Sequence, residues 1–411
     1  MGGKVKRTLH TSQWVIAKVK QCFKFRNGKG FSGVLKSFPD EEFCHPVYGG
    51  NGIIGYSDKY LLEEPTIIVG RVGEYCGNVF KTQNKSWVTD NAMMVCDILL
   101  EDYDIDFWVV MLNSLSFNHY SDSTGQPKIT QGGIGAISFK YPSEKEEQTA
   151  IANILSKVDE AIASIQHSIA AAERLKKSLM QNLLTGKMKP DGTFRTPEEF
   201  YIDDKFGKVP IGWEVKSIDE ISDFVQYGLN ISSSDNGQIP MLRMNNIVNG
   251  EMSDSPLVYV NLNDQLLQQY ELEAGDILFN RTNSMDLVGK VGVFRLMGKY
   301  VFASYLIRVR VSKENNPYYI NLALNSYPIQ CSLRSKATPA VSQANINSKS
   351  LRHTQIFKPK KKDEQDLVMS KIEEVEHVIL QKNDKVKKLE QLKKSLMQNL
   401  LTGKIKIDKD I

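Results

Sequence analysis

The side chains of this chain best suited to chemistry are arginines, asparagines and glutamines gathered in polar loops. The first half offers Arg71, then Lys81, Asn84 and Lys85 within the run Lys81-Thr82-Gln83-Asn84-Lys85, then Thr124, Gln126 and Lys128 within Ser121–Thr130. The second half offers Arg243 and Asn245, then Asn280, Arg281 and Asn283, then Arg334 and Lys336, then Gln343. Arginine presents paired donors that match guanine, and asparagine or glutamine pairs with adenine in the same two-point way. Lysine and threonine suit phosphates. Solvated loops use the same residue types, so the set gains meaning only from what holds it in place.

Other chemistries lack a complete constellation. Gly50-Asn51-Gly52-Ile53-Ile54-Gly55 fits G-x-G-x-x-G, but no convincing strand precedes it, and Tyr56–Tyr60 before Pro65 is a poor helix start, so it reads as a glycine-rich turn. Asn315-Asn316-Pro317-Tyr318 is one proline short of an adenine-methyltransferase signature and reads as a helix start with proline in its first turn. Cys44-His45 is too isolated for zinc, and no P-loop or Ser/His/Asp order is present. No catalytic residue and no metal site is assigned.

The positioning elements announce themselves by repetition. Leu-Lys-Lys-Ser-Leu-Met-Gln-Asn-Leu-Leu-Thr-Gly-Lys occurs at Leu175–Lys187 and again at Leu392–Lys404, 217 residues later (392 less 175). Upstream the likeness continues as pattern: Pro142 with Pro359, and Glu147-Gln148 with Glu364-Gln365. Apolar residues alternate steps of three and four through Leu155, Val158, Ile162, Ile169, Leu179 and Leu183, and through Ile372, Val375, Ile379, Val386, Leu396 and Leu400. Lys176 interrupts the first seam, and Lys382 and Lys393 the second. The offset of 217 is a multiple of seven, so both runs share one heptad phase and predict two coiled-coil helices packed together. Each spans about 42 residues, or roughly 60 Å. Ser143 with Glu146 suggests a capping box at the first, and Gly186 and Gly403 suggest left-handed C-terminal caps.

The remaining chain divides into globular segments 1–141 and 191–357, with helices at 142–190 and 358–411. Strand-like runs at Thr66–Val69, Ala92–Val95, Ile277–Phe279, Lys290–Phe294 and Leu306–Val311 mix with short helices at Ile105–Leu115 and Pro317–Asn325, giving an α+β reading. With 411 residues and 41% hydrophobic content the chain can bury two cores besides the helices. Cysteines at 22, 44, 76, 96 and 331 form no C-x-x-C pair, and no apolar run is long enough to span a bilayer. A cytoplasmic protein with reduced thiols is expected, with no membrane partner. A net charge of +4 permits nucleic-acid binding without demanding it.

The chain resembles the specificity subunit of type I restriction-modification systems over essentially its whole length. The carrying residues are Pro210-Ile211-Gly212-Trp213-Glu214 with Ile218 and Ile221, Pro46–Tyr56, Gly70-Arg71-Val72-Gly73, and Asp276–Arg281, besides the Pro…Glu-Gln segments and the repeated helix ends. The first domain departs by having only Ser12-Gln13-Trp14 where the second has Pro-x-Gly-Trp. The resemblance implies two mixed α/β target recognition domains, an internal pseudo-two-fold repeat, and two long antiparallel helices that fix the gap between half-sites. It implies a non-catalytic reader of double-stranded DNA that recruits two methyltransferase subunits and, through them, the translocating restriction subunits. S-adenosylmethionine, ATP and magnesium would be used by those partners, with no cofactor bound by this chain. A self-contained DNA methyltransferase or other DNA-modifying enzyme is the alternative left by the residues alone.

Overall fold

The computed structural model describes residues 13–122, 127–283, 289–335, 338–339 and 344–407. Two long helices dominate it, Lys145–Leu184 with 40 residues and Lys362–Leu400 with 39. The chain divides into two compact units that are not continuous in sequence: Met1–His167 with Lys382–Ile411, and Ser168–Gln381. Each long helix therefore begins in one unit and ends in the other.

In the first unit an antiparallel sheet runs in the order Phe23–Asn27, Ala92–Ile98, Ile67–Gly70, Val79–Lys81. A second sheet places His45–Gly49 between Gly52–Ser57 and Trp87–Val88. Contrary to the sequence reading, a strand does precede the G-x-G-x-x-G run. That run turns into a hairpin and opens no helix, which is why it makes no dinucleotide site. The helix Ile105–Ser114 drives Phe107, Trp108, Met111 and Leu112 inward. Trp108 is ringed by Phe23, Phe107, Phe139 and Tyr141, with centroids 4.9–5.7 Å away. Ile151 and Leu155 from the start of the first long helix join this core, as do Leu400 and Leu401 from the end of the second.

The second unit carries a six-stranded sheet ordered Ser222–Tyr227, Leu306–Val311, Ile277–Asn280, Val291–Val293, Glu251–Met252, Ile247–Val248. A smaller sheet places Ile239–Leu242 between Val258–Val260 and Val301–Phe302. The helix Pro317–Asn325 is capped by Asn316, whose side chain accepts from the amides of Tyr318 and Tyr319. Asp276, 1% exposed, takes two 2.7 Å hydrogen bonds from Arg310 and one from the Glu273 amide. Its bonds with Asp276 push the Arg310 guanidinium up. Burial pushes the neighbouring Arg308 down, against the pull of Asp276, and Arg308 donates to the Glu271 and Gln269 carbonyls and to Gln226. The core again closes on a long-helix end, through Leu183, Leu184 and Met188 beside Val368, Met369 and Ile372.

The identical helix ends are explained by identical sockets. In the first unit Trp14–Lys18 pairs with Ser138–Pro142, setting Trp14 opposite Pro142; in the second, Trp213–Ser217 pairs with Gln355–Pro359, setting Trp213 opposite Pro359. Trp14 donates its indole N–H to Glu147 at 3.3 Å, and Trp213 donates to Glu364 at 2.9 Å. The adjoining glutamine is buried in both units. Gln148 donates to the Pro142 carbonyl and accepts from the Asp104 amide; Gln365 donates to the Pro359 carbonyl and accepts from the Asn316 amide. Gly186 (φ +66°) and Gly403 (φ +70°) take the left-handed caps, and each seats where a Cβ would lie 3.2 Å from Trp213 or 2.9 Å from Trp14. Trp14 thus fills the place of Trp213 despite lacking the Pro-x-Gly before it. Ser143 is no cap: its hydroxyl donates to the Gln13 carbonyl, and the helix begins at Lys145.

Within each unit the two helix portions pack antiparallel along the predicted seam. Leu155, Leu183, Ile372, Val386 and Leu400 are buried, and Val158, Ile162, Ile169, Leu179, Val375, Ile379 and Leu396 are half-buried. Two of the three lysines that interrupt the pattern pair across it, Lys393 with Asp159 at 2.6 Å in the first unit and Lys176 with Glu376 at 2.7 Å in the second. Both partners of one pair lie 217 positions from those of the other (176 to 393, 159 to 376).

Replacing Gly186 by alanine should cost the left-handed backbone penalty, about 1–2 kcal/mol, plus about 1–3 kcal/mol of overpacking against Trp213 and Pro210. Gly192→Ala, equally left-handed at φ +89° but facing open space, should lose the backbone penalty alone. Urea midpoints of the two variants check the difference; equal losses would mean the socket is loose.

Candidate nucleic-acid interface

In the second unit four segments converge beside Ala303-Ser304. Leu229 donates to the Phe302 carbonyl, Ala303 donates to the Leu242 carbonyl just before Arg243, and Arg281 donates its amide to the Tyr305 carbonyl. The Arg281 guanidinium leans on the Ser304 carbonyl at 3.5 Å and lies 4.8 Å from the Tyr227 ring centroid. The Tyr227 hydroxyl is fixed by the Ser348 amide at 2.8 Å, and Ile346 donates to the Arg281 carbonyl. Thr282–Asn283 pairs with Ala344–Asn345, so the two residues after Arg281 are held against the two before Ile346.

The first unit repeats the main-chain bonds of this plan. Lys29 donates to the Val88 carbonyl, Thr89 to Tyr48 just before Gly49, Arg71 to Asn91, and Ile129 to Arg71. The Arg71 guanidinium meets the Asp90 carbonyl at 3.3 Å, as Arg281 meets that of Ser304. Gly28 and Gly228 hold matching places where a Cβ would strike the Thr89 or the Ala303 carbonyl. Arg71 and Arg281 are therefore structural equivalents, and so are Ile129 and Ile346.

Ion pairing divides the arginines, with Arg26 and Arg174 also lacking a carboxylate partner among the described residues. Arg195, Arg295, Arg308, Arg310 and Arg352 all have carboxylate partners. Arg71, Arg243, Arg281 and Arg334 have none among the described residues, and the Nε atoms of Arg243 and Arg281 are buried without a hydrogen-bond partner. A buried donor left unpaired costs about 1–3 kcal/mol, which an incoming acceptor can recover.

The other candidates scatter. Lys128 is exposed and adjoins Ile129, beside Arg71; Asn245 is exposed on the turn after Arg243; Arg334 is exposed at the end of the helix Tyr327–Ser335. Lys81 instead donates to both oxygens of Asp106 at 2.9 Å, and Asn84 and Lys85 stand on a separate loop tied to Leu62, with Lys85 5.7 Å from the Tyr60 ring. Asn280 is fully buried at a strand end, where its neighbours and not solvent surround it. The backbone of Asn283 is described and its side chain is not; Thr124, Gln126, Lys336 and Gln343 lie outside the described residues. Sequence reasoning missed Asn27, Asn91, Tyr227 and Tyr305. Tyrosines 39% and 53% exposed beside an unpaired arginine are visible only once the turns are folded, although glycine at 28 and 228 could have signalled a close backbone approach.

Among the described residues no group of three His, Cys, Asp or Glu could hold a metal ion, and no helix is long and apolar enough to cross a membrane.

Comparisons with known proteins agree with this plan. A family model described as the type I restriction modification DNA specificity domain matches twice, at residues 11–174 and 210–393. The chain is 31% identical over 143 residues to the type I restriction enzyme EcoprrI specificity subunit of Escherichia coli, covering 35% of this chain and 34% of that one. It is 24% identical over 379 residues to the MjaVIII specificity subunit of Methanocaldococcus jannaschii, covering 86% and 80%. The chain spans about a third of the length of the EcoprrI subunit and half that of the putative MjaX specificity subunit of Methanocaldococcus jannaschii, to which it is 28% identical over 215 residues. The fold is shared with the crystal structure of a type I restriction-modification S subunit from M. genitalium, at TM-score 0.57 and 15% identity over 96% of this chain and 98% of that one. With both of its repeats matched by the same domain family, the chain belongs to the type I restriction-modification DNA specificity subunits.

Proposed function

We propose that this chain is the sequence reader of a type I restriction-modification complex. Each unit reads one half of a bipartite site in double-stranded DNA, and the long helices set the base-pair gap and dock two methyltransferase subunits. The chain itself contributes no catalytic group; methyl transfer, and ATP-driven cleavage where restriction subunits join, belong to the partners. The observation that carries this reading is an arginine without a carboxylate partner among the described residues, held on one backbone plan in two units whose surrounding side chains differ. Two equivalent frames with different faces are what a split, asymmetric target requires. A self-sufficient modifying enzyme is separated by one assay: the purified chain alone, given DNA and S-adenosylmethionine, should transfer no methyl groups, and transfer would overturn the reading.

Exchanging Met1–Tyr141 for the same segment of another family member should change one half of the methylated motif and leave the other intact. Sequencing of methylated sites checks this, and a change in both halves would contradict independent reading.

Inserting four residues into each long helix, after His167 and after Gln381 where the units divide, adds about 6 Å and a residual turn of about 40°. DNA advances about 3.4 Å per base pair and turns roughly 35°. The preferred spacer should lengthen by one or two base pairs with both half-sites unchanged. An active variant with the original spacer would show that the helices do not set the gap.

A further inference from the structure

The two reading turns share a backbone but differ in side chains at matching places: Asn27 against Tyr227, Gly49 against Arg243, and Asn91 against Tyr305. The arginine at 71 and 281 is common to both, as are Gly28 with Gly228 and Ile129 with Ile346, which bring no polar side chain. Resting on the reading above, we propose a division of labour. Arg71 and Arg281 are phosphate anchors, one per half-site, and the base preference of each unit is set by the variable places, with Arg243 reading a guanine in the half-site of the second unit.

The common arginine is held in the same way by main-chain groups that do not depend on side-chain identity. Its amide donates to the carbonyl of Asn91 or Tyr305, its own carbonyl accepts from Ile129 or Ile346, and its guanidinium meets the carbonyl of Asp90 or Ser304. A group delivered identically in two units that read different sequences suits the one DNA feature that does not vary with sequence, the phosphate. Base contacts must differ between half-sites, and the places around Ala303-Ser304 or Thr89-Asp90 differ in kind at the three pairs named, besides Lys29 against Leu229 and Asp90 against Ser304. Among these, Arg243 brings a guanidinium where the first unit has no side chain at all. Its Nε is buried and unpartnered, and no carboxylate neutralises it among the described residues. A guanidinium only donates. Guanine offers two acceptors, O6 and N7, on its major-groove edge, whereas adenine sets a donor beside its N7. Tyr305, 53% exposed and bonded through its carbonyl to the Arg281 amide, adds an aromatic ring to the same turn.

The test measures binding of the chain, assembled with its methyltransferase partner, to cognate and singly substituted duplexes across a salt series. Arg71→Ala and Arg281→Ala should weaken cognate and substituted duplexes alike and reduce the slope of log affinity against log salt by about one. Arg281→Lys, which keeps a point charge, should restore most of that loss. Arg243→Ala should relax the preference at one base pair of one half-site by roughly tenfold or more. Placing 7-deazaguanine there should weaken the unaltered protein and leave Arg243→Ala unaffected. Arg243→Gly, carrying the residue of the first unit, repeats the experiment should the alanine variant fail to fold. The division is overturned if Arg281→Ala relaxes a single base position with its salt slope unchanged, or if Arg243→Ala weakens every duplex equally. If the unaltered complex shows no sequence preference, the reader function itself fails; a sequence-specific complex with these effects exchanged removes the division alone.

Discussion

Everything in this molecule depends on how a helix end is held. A glycine in the left-handed conformation lets the chain leave the helix directly against an indole ring, while the indole N–H is taken by a glutamate in the first turn of the other long helix. The contact is this close because there is no Cβ, since one would lie 2.3 Å from Pro210 and 3.2 Å from Trp213 in one socket, or 2.9 Å from Trp14 in the other. The buried glutamine beside each glutamate ties the same helix start to a strand end and to the cap of a short helix. Three elements are thereby fixed at one point, and the point occurs twice.

This duplication separates two demands on the sequence. The sockets and the seam must match between repeats, because each long helix starts in one unit and ends in the other. The turns around Arg71 and Arg281 are under no such demand, since their backbone is fixed by main-chain hydrogen bonds and by glycine at 28 and 228. Side chains there can change from Asn91 to Tyr305, or from Gly49 to Arg243, without moving the frame. Within the second unit the same economy distinguishes arginines by role. Arg308 and Arg310 are neutralised by buried Asp276 together with Glu273 and brace the sheet, whereas Arg243 and Arg281 face no carboxylate among the described residues. A buried ion pair is dearly broken, at about 3–5 kcal/mol, so Asp276 and its partners belong to stability, and the unpaired arginines are where affinity for an anion can be stored.

Much of this was legible before folding. The heptad phase, the glycine caps and the strands around Ile67, Ile277 and Leu306 follow from local periodicity, which a linear sequence displays. The lysines at 176 and 393 looked like flaws in the seam because their partners, Glu376 and Asp159, are distant in sequence. Arg71 and Arg281 were found through residue type and loop context, but their equivalence rests on backbone bonds to Asn91 and Tyr305 that no spacing reveals. Asn280 misled for a related reason: a polar residue in a polar run lies at the buried end of a strand, and only the fold distinguishes the two faces. The strand before Gly50 was missed because Cys44-His45-Pro46 does not read as strand-forming; its pairing with Gly52–Ser57 supplies what propensity does not.

The central claim is that each unit is completed by a helix end from the other repeat, delivered into an identical socket. The fragment Met1–Pro190 holds the socket around Trp14 and Glu147 together with Leu175–Lys187, whose sequence is identical to the run that fills that socket in the intact chain. Two copies of the fragment can therefore complete each other, with Lys176 of one meeting Asp159 of its partner as Lys393 does in the intact chain. Sedimentation equilibrium of this fragment should report a dimer that Gly186→Val returns to monomer. A folded monomer, or a dimer indifferent to Gly186, would contradict the account.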